Sequence, residues 1–222
     1  MFLAKFVKES KYADCFMNGS LYMHTGFYYH DEEKWKESQE GKSKLQGDIG
    51  EGRIFSGLGI HKNIHLPIFC MSIFEEKDII DSKIKIDEQI IKDFDCSYGY
   101  MVLVDYEPFI ERIQELDRKG HQIAYKKVKY GSPSMELSLQ LLSQKTVENL
   151  FIKRSEYEHQ KEFRIVVIED YTDEEYSLRE EGENFSKTYN LSSDLHDIAR
   201  KIDISSLDAE EGYRIFHIPE KV

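Results

Sequence analysis

The amino-acid sequence predicts an α+β fold arranged as a single domain. Segments typical of strands and of helices follow one another without the regular alternation that builds a parallel sheet. The 222 residues suffice for one sizeable core, and 40% of them are hydrophobic, with 13 Phe and 14 Tyr. No internal repeat or low-complexity linker divides the sequence. We therefore expect one domain over 1–222, with its core in about 1–170 and a strand–helix–strand extension in about 185–222.

Strands are expected where apolar or alternating residues run between turn signals. The segment 66–74 is almost wholly apolar, as a strand buried on both faces would be, and Ser72 is its polar side chain. The segment 122–130 alternates like an edge strand, where lysines discourage aggregation. The predicted strands are 1–7, Ser20–Thr25, 66–74, 99–104, 122–130, 163–168, 187–191 and 214–218.

Helices are expected where apolar residues recur at helical spacing between capping residues. The segment 9–18 has this spacing, and Gly19 follows as a stop signal. Asp105 begins a further helix, which carries Pro108 in its first turn and ends at Gly120. Further helices are predicted over 84–94, 135–153 and 194–201.

The charge of the chain restricts its partners. Lys and Arg number 30 against 42 Asp and Glu, which gives a net charge of −12. Neutralising phosphates requires clustered Lys and Arg, so this balance disfavours non-specific binding to a nucleic-acid backbone. A local basic patch is still compatible with it.

Cysteine usage and the first residues indicate a cytoplasmic protein. Cys15, Cys70 and Cys96 lack metal-finger or redox spacing, which predicts buried thiols in a reducing compartment. The apolar segment 1–7 is short and is followed by charge at 8–9, so neither a signal peptide nor a membrane span is expected.

A charged run passes directly into an apolar strand at residues 155–167. Side chains alternate faces in an extended chain, so Gln160 and Glu162 would point the same way, joined by Glu158 if the strand begins early. An amide and a carboxylate side by side at the mouth of a sheet are typical of a catalytic rim. The alternative is a strand entry with solvated charges. Arg164 would share the face of Glu162, so an ion pair between them is a competing explanation.

The order of these features resembles a loosely defined group of bacterial and phage proteins of unknown function. The shared features are a strand at 21–25, a glycine and acid loop, an apolar strand with Cys and Ser, a strand ending in Asp, and a final Tyr-to-Ile segment. In this chain the glycine and acid loop contains Gly47-Asp48 and Glu51-Gly52, and the apolar strand contains Phe69-Cys70-Met71-Ser72. The strand ending in Asp covers residues 99–105, and the final segment covers residues 157–165. This resemblance covers roughly residues 10–170.

Gln160-Lys161-Glu162, followed by an apolar strand, also resembles the Q/E-x-E motif of ADP-ribosyltransferases. The segment 21–26 resembles the first strand of the same family. This resemblance implies a mixed, mainly antiparallel central sheet flanked by helices, with NAD as substrate and an intracellular nucleic acid or protein as acceptor. It further implies a bacterial toxin or phage-defence effector, with an antitoxin or chaperone as a possible partner.

The resemblance assigns a role to each candidate site residue. Breaking the nicotinamide glycosidic bond builds positive charge on the ribose, and a fixed carboxylate stabilises that charge. Glu162 would be this carboxylate, and Gln160 would orient the acceptor or hold the cofactor. Ser72 would brace the nicotinamide ribose or Glu162. The remaining contacts to NAD would come from His24 and Thr25, from Tyr28 or Tyr29 stacked on nicotinamide, and from Arg53 as a positive charge in the loop.

Metal and phosphate-loop chemistry have weaker support. His61 and His65 lack a third and fourth zinc ligand at recognisable spacing, so no metal is expected. Asp48 and Glu51, with Glu75-Glu76-Lys77 downstream, can be forced into an acidic metal-dependent nuclease pattern, but that pattern is too permissive to count. No glycine loop is followed by Lys-Ser or Lys-Thr, which argues against a P-loop NTPase.

Two classes of function therefore remain. The first is an NAD-dependent ADP-ribosyltransferase. The second is a non-catalytic module that binds nucleic acid or protein in a toxin–antitoxin or phage-defence system, and in that class Glu162 would be tied to Arg164 or Lys161 at the surface. Lys126, Lys127 and Lys129, flanked by tyrosines, form the candidate nucleic-acid contact, with a solvated edge strand as the alternative.

Overall fold

The computed structural model describes residues 1–25, 66–131, 147–153, 155–169 and 186–219. These residues form fourteen strands and three α-helices. The helices are α1 (Ser10–Met17), α2 (Glu88–Asp93) and α3 (Tyr106–Arg118). The strands are β1 (Phe2–Val7), β2 (Ser20–Thr25), β3 (Pro67–Phe74), β4 (Ile79–Ile80), β5 (Lys83–Asp87), β6 (Tyr100–Asp105), β7 (Gln122–Lys127), β8 (Lys129–Tyr130), β9 (Ile152–Lys153), β10 (Glu162–Ile168), β11 (Ser186–Asn190), β12 (Ala199–Asp203), β13 (Asp208–Glu210) and β14 (Tyr213–His217).

An eight-stranded antiparallel sheet forms the centre of the fold, and it forks at β3. One edge of β3 pairs with β10, which in turn pairs with β7. The other edge pairs with β2 near Ile68 and with β1 from Ser72 onward. From there one branch continues through β6 to β12, and the other continues to β11.

A lysine lies close to the fork of the sheet. The ammonium of Lys5, on β1, donates a hydrogen bond to the backbone carbonyl of Cys70 at 2.9 Å and lies 4.4 Å from the centre of the Phe69 ring. Burial lowers the pKa of Lys5 below its ordinary value, against the opposing influence of Cys70 and Glu162. A side chain thus provides a partner for a carbonyl at the point where the two branches separate.

Helices α1 and α3 cover one face of the central sheet, which we call the helix face. Its core combines apolar side chains from the helices, such as Phe16 and Phe109, with strand residues such as Met71 and Ile165. Because side chains alternate along a strand, the residues between these point to the opposite face. The spacing predicted for α1 and α3 is confirmed.

The opposite face of the central sheet, here the layered face, carries two separate apolar clusters. A four-stranded antiparallel sheet in the order β13-β14-β5-β4 packs over β1 and β6, where Ile84 and Ile86 meet Ala4 and Leu103. A 3₁₀ turn, Val147–Phe151, packs over β3 and β10. A group of polar side chains lies in the region between these two clusters.

The expected α+β class with mainly antiparallel strands is confirmed, while several predicted elements are wrong. The segment 84–94 divides into β5 and a short α2 instead of one helix. The segment 194–201 is not a helix, because Ala199–Asp203 extends the central sheet by pairing along β6. Within the segment 135–153, Val147–Phe151 is 3₁₀ and β9 follows, while 135–146 lies outside the described residues. Tertiary pairing overrides local spacing in each described case.

The three cysteines are free thiols, but the prediction that all are buried holds only for Cys96. Cys96 is buried, Cys70 is half-buried, and Cys15 lies exposed on α1. Among the described residues, no helix has the length and apolar character needed to span a membrane.

Gly99 permits the close approach of the turn before β6 to the end of β1. A Cβ atom on Gly99 would lie 2.4 Å from the backbone carbonyl oxygen of Val7. We therefore expect Gly99→Ala to lower the free energy of unfolding by about 1–3 kcal/mol, the usual cost of overpacking. Urea unfolding measures the effect. Ser97→Ala, an exposed change in the same turn, is the matched control, and equal stability of the two variants would contradict the prediction.

Candidate functional site

Glu162 begins β10 and lies between the two apolar clusters of the layered face. It is paired in register with Ser72 on β3, which follows Ile68 of one cluster and precedes Phe74 of the other. Glu162 is 4% exposed and Ser72 is 2% exposed. The carboxylate is therefore inside the protein, beside a buried hydroxyl, and not on a rim.

Both carboxylate oxygens of Glu162 accept hydrogen bonds from cations. Arg164 donates through Nε to Oε1 at 2.6 Å and through Nη2 to Oε2 at 3.0 Å. Lys153 donates through Nζ to Oε2 at 2.9 Å. Arg164 is fully buried, and it also donates to the backbone carbonyl of Leu150 in the 3₁₀ turn. One carboxylate thus neutralises part of the charge of two buried cations.

The hydrogen bonds continue from Lys153 toward α2. Lys153 donates to Oε1 of Gln160 at 2.7 Å, and Gln160 donates through Nε2 to Oδ2 of Asp93 at 2.6 Å. The same oxygen of Asp93 lies 2.6 Å from Nε2 of His159. We call the six side chains that form this connection the polar network. Its members are Glu162, Arg164, Lys153, Gln160, Asp93 and His159.

Both ring nitrogens of His159 face hydrogen-bond acceptors. Its Nδ1 lies 3.1 Å from the carbonyl oxygen of Glu156, and its Nε2 faces the Asp93 carboxylate. A carbonyl and a carboxylate only accept hydrogen bonds, so both ring nitrogens are satisfied when both donate. The network thus combines the carboxylates of Glu162 and Asp93 with the cations Arg164 and Lys153 and the imidazole of His159.

Burial and neighbouring charge act in opposite directions on Glu162. Burial alone would raise the pKa of its carboxyl group, but the charges of Arg164 and Lys153 outweigh it and hold the pKa well below its ordinary value of 4.5. Burial also raises the pKa of Tyr130, and the Glu162 carboxylate adds to that rise. The backbone N–H of Glu162 donates to the hydroxyl oxygen of Tyr130 at 2.6 Å.

The extended conformation predicted for Gln160 is wrong, although its side chain shares a partner, Lys153, with that of Glu162. The strand does not begin early, because Ser155–Gln160 forms a 3₁₀ turn and Lys161 has a φ of 46°. Strand alternation therefore does not align Gln160 with Glu162. The two side chains converge instead on the ammonium of Lys153, while Glu158 is exposed.

Of the candidate NAD contacts, His24, Thr25 and Ser72 lie among the residues that the structure describes. His24 pairs in register with Ile68 on β3 and Ser186 on β11, and Thr25 is buried opposite Pro67. Along β3, Ile68 and Ser72 are four residues apart, which separates His24 from Glu162. Tyr28, Tyr29 and Arg53 lie outside the described residues, as do Asp48, Glu51, His61 and His65.

Two of the three candidate nucleic-acid lysines take part in ion pairs. Lys126 pairs with Glu148 of the 3₁₀ turn, and Lys127 pairs with Glu75. Lys129 is exposed on β8. These pairs neutralise part of the positive charge along β7.

Lys153 and Asp93 had no sequence signal that would have assigned them to the site. Lys153 ends an apolar run, and Asp93 closes a short helix, so neither belongs to a recognisable motif. Within the described ranges, no group of three or more His, Cys, Asp or Glu side chains is arranged to hold a metal ion. No family model, curated protein or solved structure matches the chain.

The first test of the polar network is the stability of Glu162→Gln. This change leaves Arg164 and Lys153 buried without their counter-charge, so we expect a loss of about 3–5 kcal/mol in the free energy of unfolding. Chemical denaturation measures it. Glu210→Gln removes the same charge from an exposed pair with Lys85 and should cost less than about 1 kcal/mol. Equal losses would show that the network does not stabilise the fold.

The second test is the dependence of that loss on pH. The pKa of Glu162 is depressed in the folded state, so the stability it contributes is complete above its unfolded value near 4.5 and declines as the pH falls below it. The difference in unfolding free energy between the native chain and Glu162→Gln should therefore be constant near neutrality and should shrink in acid. Denaturation from about pH 7 to about pH 3 checks this. A difference independent of pH would contradict the ionised state of Glu162.

Proposed function

We propose that this chain is a non-catalytic binding module of a toxin–antitoxin or phage-defence system. The observation that carries the proposal is the occupation of both Glu162 oxygens by Arg164 and Lys153. A carboxylate that stabilises an oxocarbenium-like ribose must approach the sugar, and here its hydrogen-bonding capacity is used inside the protein. The polar network then acts as a structural connection, and function resides on the exposed surface.

The surface favours a protein over a nucleic acid as partner. A net charge of −12 opposes phosphate binding, and ion pairs with Glu148 and Glu75 engage two of the three candidate lysines. The turn between α2 and β6, residues 94–99, instead presents an exposed aromatic group. Tyr98 is 91% exposed, while Phe94 stacks on Phe6 at the base of the turn. Aromatic side chains of this kind are enriched at the centres of protein interfaces.

A cytoplasmic location fits this proposal. The described cysteines are free, as expected of thiols in a reducing compartment.

A second candidate function is the ADP-ribosyltransferase. It is supported by the register that sets Ser72 opposite Glu162 and by the convergence of Gln160 and Glu162 on Lys153. NAD would then have to displace Lys153 or Arg164 from the carboxylate. In that case Glu162 is the catalytic carboxylate and Gln160 positions the acceptor.

Binding of NAD by the native chain, and transfer of label from it, distinguish the two functions. We expect the native chain neither to bind NAD in calorimetry nor to transfer label from NAD to protein or nucleic acid in total cell lysate. This measurement needs no variant, so it does not depend on the folding of Glu162→Gln.

Labelled transfer by the native chain would overturn the binding-module proposal in favour of the transferase. In that event Gln160→Ala and Ser72→Ala should both reduce transfer, because Ser72 lies opposite Glu162 and Gln160 shares the Lys153 ammonium with it. The exposed change Glu210→Gln is the control that should leave transfer intact.

A further inference from the structure

A cavity of about 410 Å³ opens at the β12 edge of the central sheet, several strands away from the polar network. It lies on the layered face, between the strands β1, β6 and β12 and the C-terminal strand β14. Its apolar wall consists of Phe2, Leu103, Phe216 and Ile218. This volume falls within the range of pockets that enclose small organic molecules.

Two charged side chains of opposite sign line this cavity without engaging each other. Asp105 precedes α3, yet its carboxylate accepts no capping hydrogen bond from the helix. Across the part of the chain that the structure describes, neither the Asp105 carboxylate nor the Arg200 guanidinium forms a hydrogen bond or an ion pair. Both groups therefore remain available to a ligand.

The other polar groups of the lining already have partners. Arg112 binds both carboxylate oxygens of Asp197, at 2.7 and 2.5 Å. Nε2 of His196 lies 3.3 Å from Oδ1 of Asn18. The cavity thus offers one available anion, one available cation and an apolar wall.

The sheet register sets the separation of the two charges. Arg200 pairs with Leu103, two residues before Asp105, so Arg200 and Asp105 are diagonal neighbours on one face of adjacent strands. Residues in this relation are roughly 7–8 Å apart, and their Cβ atoms are somewhat closer. Asp105 and Arg200 form no direct ion pair among the described contacts, but a compact molecule that carries a cationic and an anionic group on one carbon atom can reach both side chains.

We propose that this cavity binds a free α-amino acid with a large apolar side chain. Arg200 binds the α-carboxylate through its planar guanidinium, which matches carboxylate geometry. Asp105 accepts hydrogen bonds from the α-ammonium group. The side chain packs on Phe2 and Phe216, which belong to the apolar wall of the cavity. This site is independent of the polar network and of the function proposed above.

Ligand analogues on the native chain give the first test. We expect isothermal titration calorimetry to detect binding of L-phenylalanine. Binding should be at least tenfold weaker for 3-phenylpropionate, which lacks the ammonium group, and for phenethylamine, which lacks the carboxylate. Glycine, which lacks the apolar side chain, should also bind at least tenfold more weakly. Absence of L-phenylalanine binding at about 10 mM, or equal affinity for all four compounds, would overturn the proposal.

Two variants assign the contacts. Asp105→Asn should weaken L-phenylalanine and phenethylamine at least tenfold and leave 3-phenylpropionate unchanged. Arg200→Gln should weaken L-phenylalanine and 3-phenylpropionate and leave phenethylamine unchanged. Asp117→Asn and Arg118→Gln, exposed changes at the far end of α3, are the matched controls and should bind every compound as the native chain does.

The pattern of losses distinguishes a contact from a fold defect. Circular dichroism establishes that each variant is folded before titration. A variant that weakens all three phenyl compounds equally would contradict the assigned contact. If either variant fails to fold, the comparison of the four compounds on the native chain decides the proposal by itself.

Discussion

The ion pair between Glu162 and Arg164 holds together the layered face of the central sheet. Arg164 is fully buried within an apolar strand, which is unfavourable for a guanidinium that lacks a counter-charge. Glu162, two residues earlier on the same face, provides that charge, and Lys153 and the Leu150 carbonyl complete the environment. A buried pair of this kind contributes less as net attraction than through the penalty for removing one partner. It therefore fixes where β9 and the 3₁₀ turn must lie.

The same network joins parts of the chain that are distant in sequence. Asp93 closes α2 in the layer over β1 and β6, while Gln160 and His159 belong to the 3₁₀ turn before β10. Hydrogen bonds between them tie α2, which follows β5 of the second sheet, to the start of β10 in the central sheet. The two apolar clusters of this face are separate, so polar contacts supply a connection that apolar packing between them does not.

The fork at β3 separates the surfaces available for function. The branch through β2 and β11 carries His24 and Thr25, and the branch through β6 and β12 carries the cavity with Asp105 and Arg200. Glu162 lies under the layers near the fork, on β10. This arrangement distributes candidate binding groups over distinct regions and leaves the charged centre of the motif as an internal support.

The sequence by itself determined the local elements whose signals are complete within a few residues. The helical spacing of α1 followed by Gly19, the apolar run of β3 and the entry to α3 at Asp105 all predict their elements. It also indicated the alternation that brings Glu162 and Arg164 to one face. These features depend on neighbours along the chain, so no distant contact is needed to infer them.

Only the tertiary structure decided what those residues do together. Lys153 and Asp93 reach Glu162 and Gln160 through folding and have no characteristic spacing from them in sequence. The segment 194–201 has helical spacing, yet its last three residues pair with β6 as part of β12, because an unpaired sheet edge offers hydrogen bonds. Whether Glu162 lies on an exposed catalytic rim or acts as a buried counter-charge depends on those distant partners. For this reason the motif alone did not determine its role.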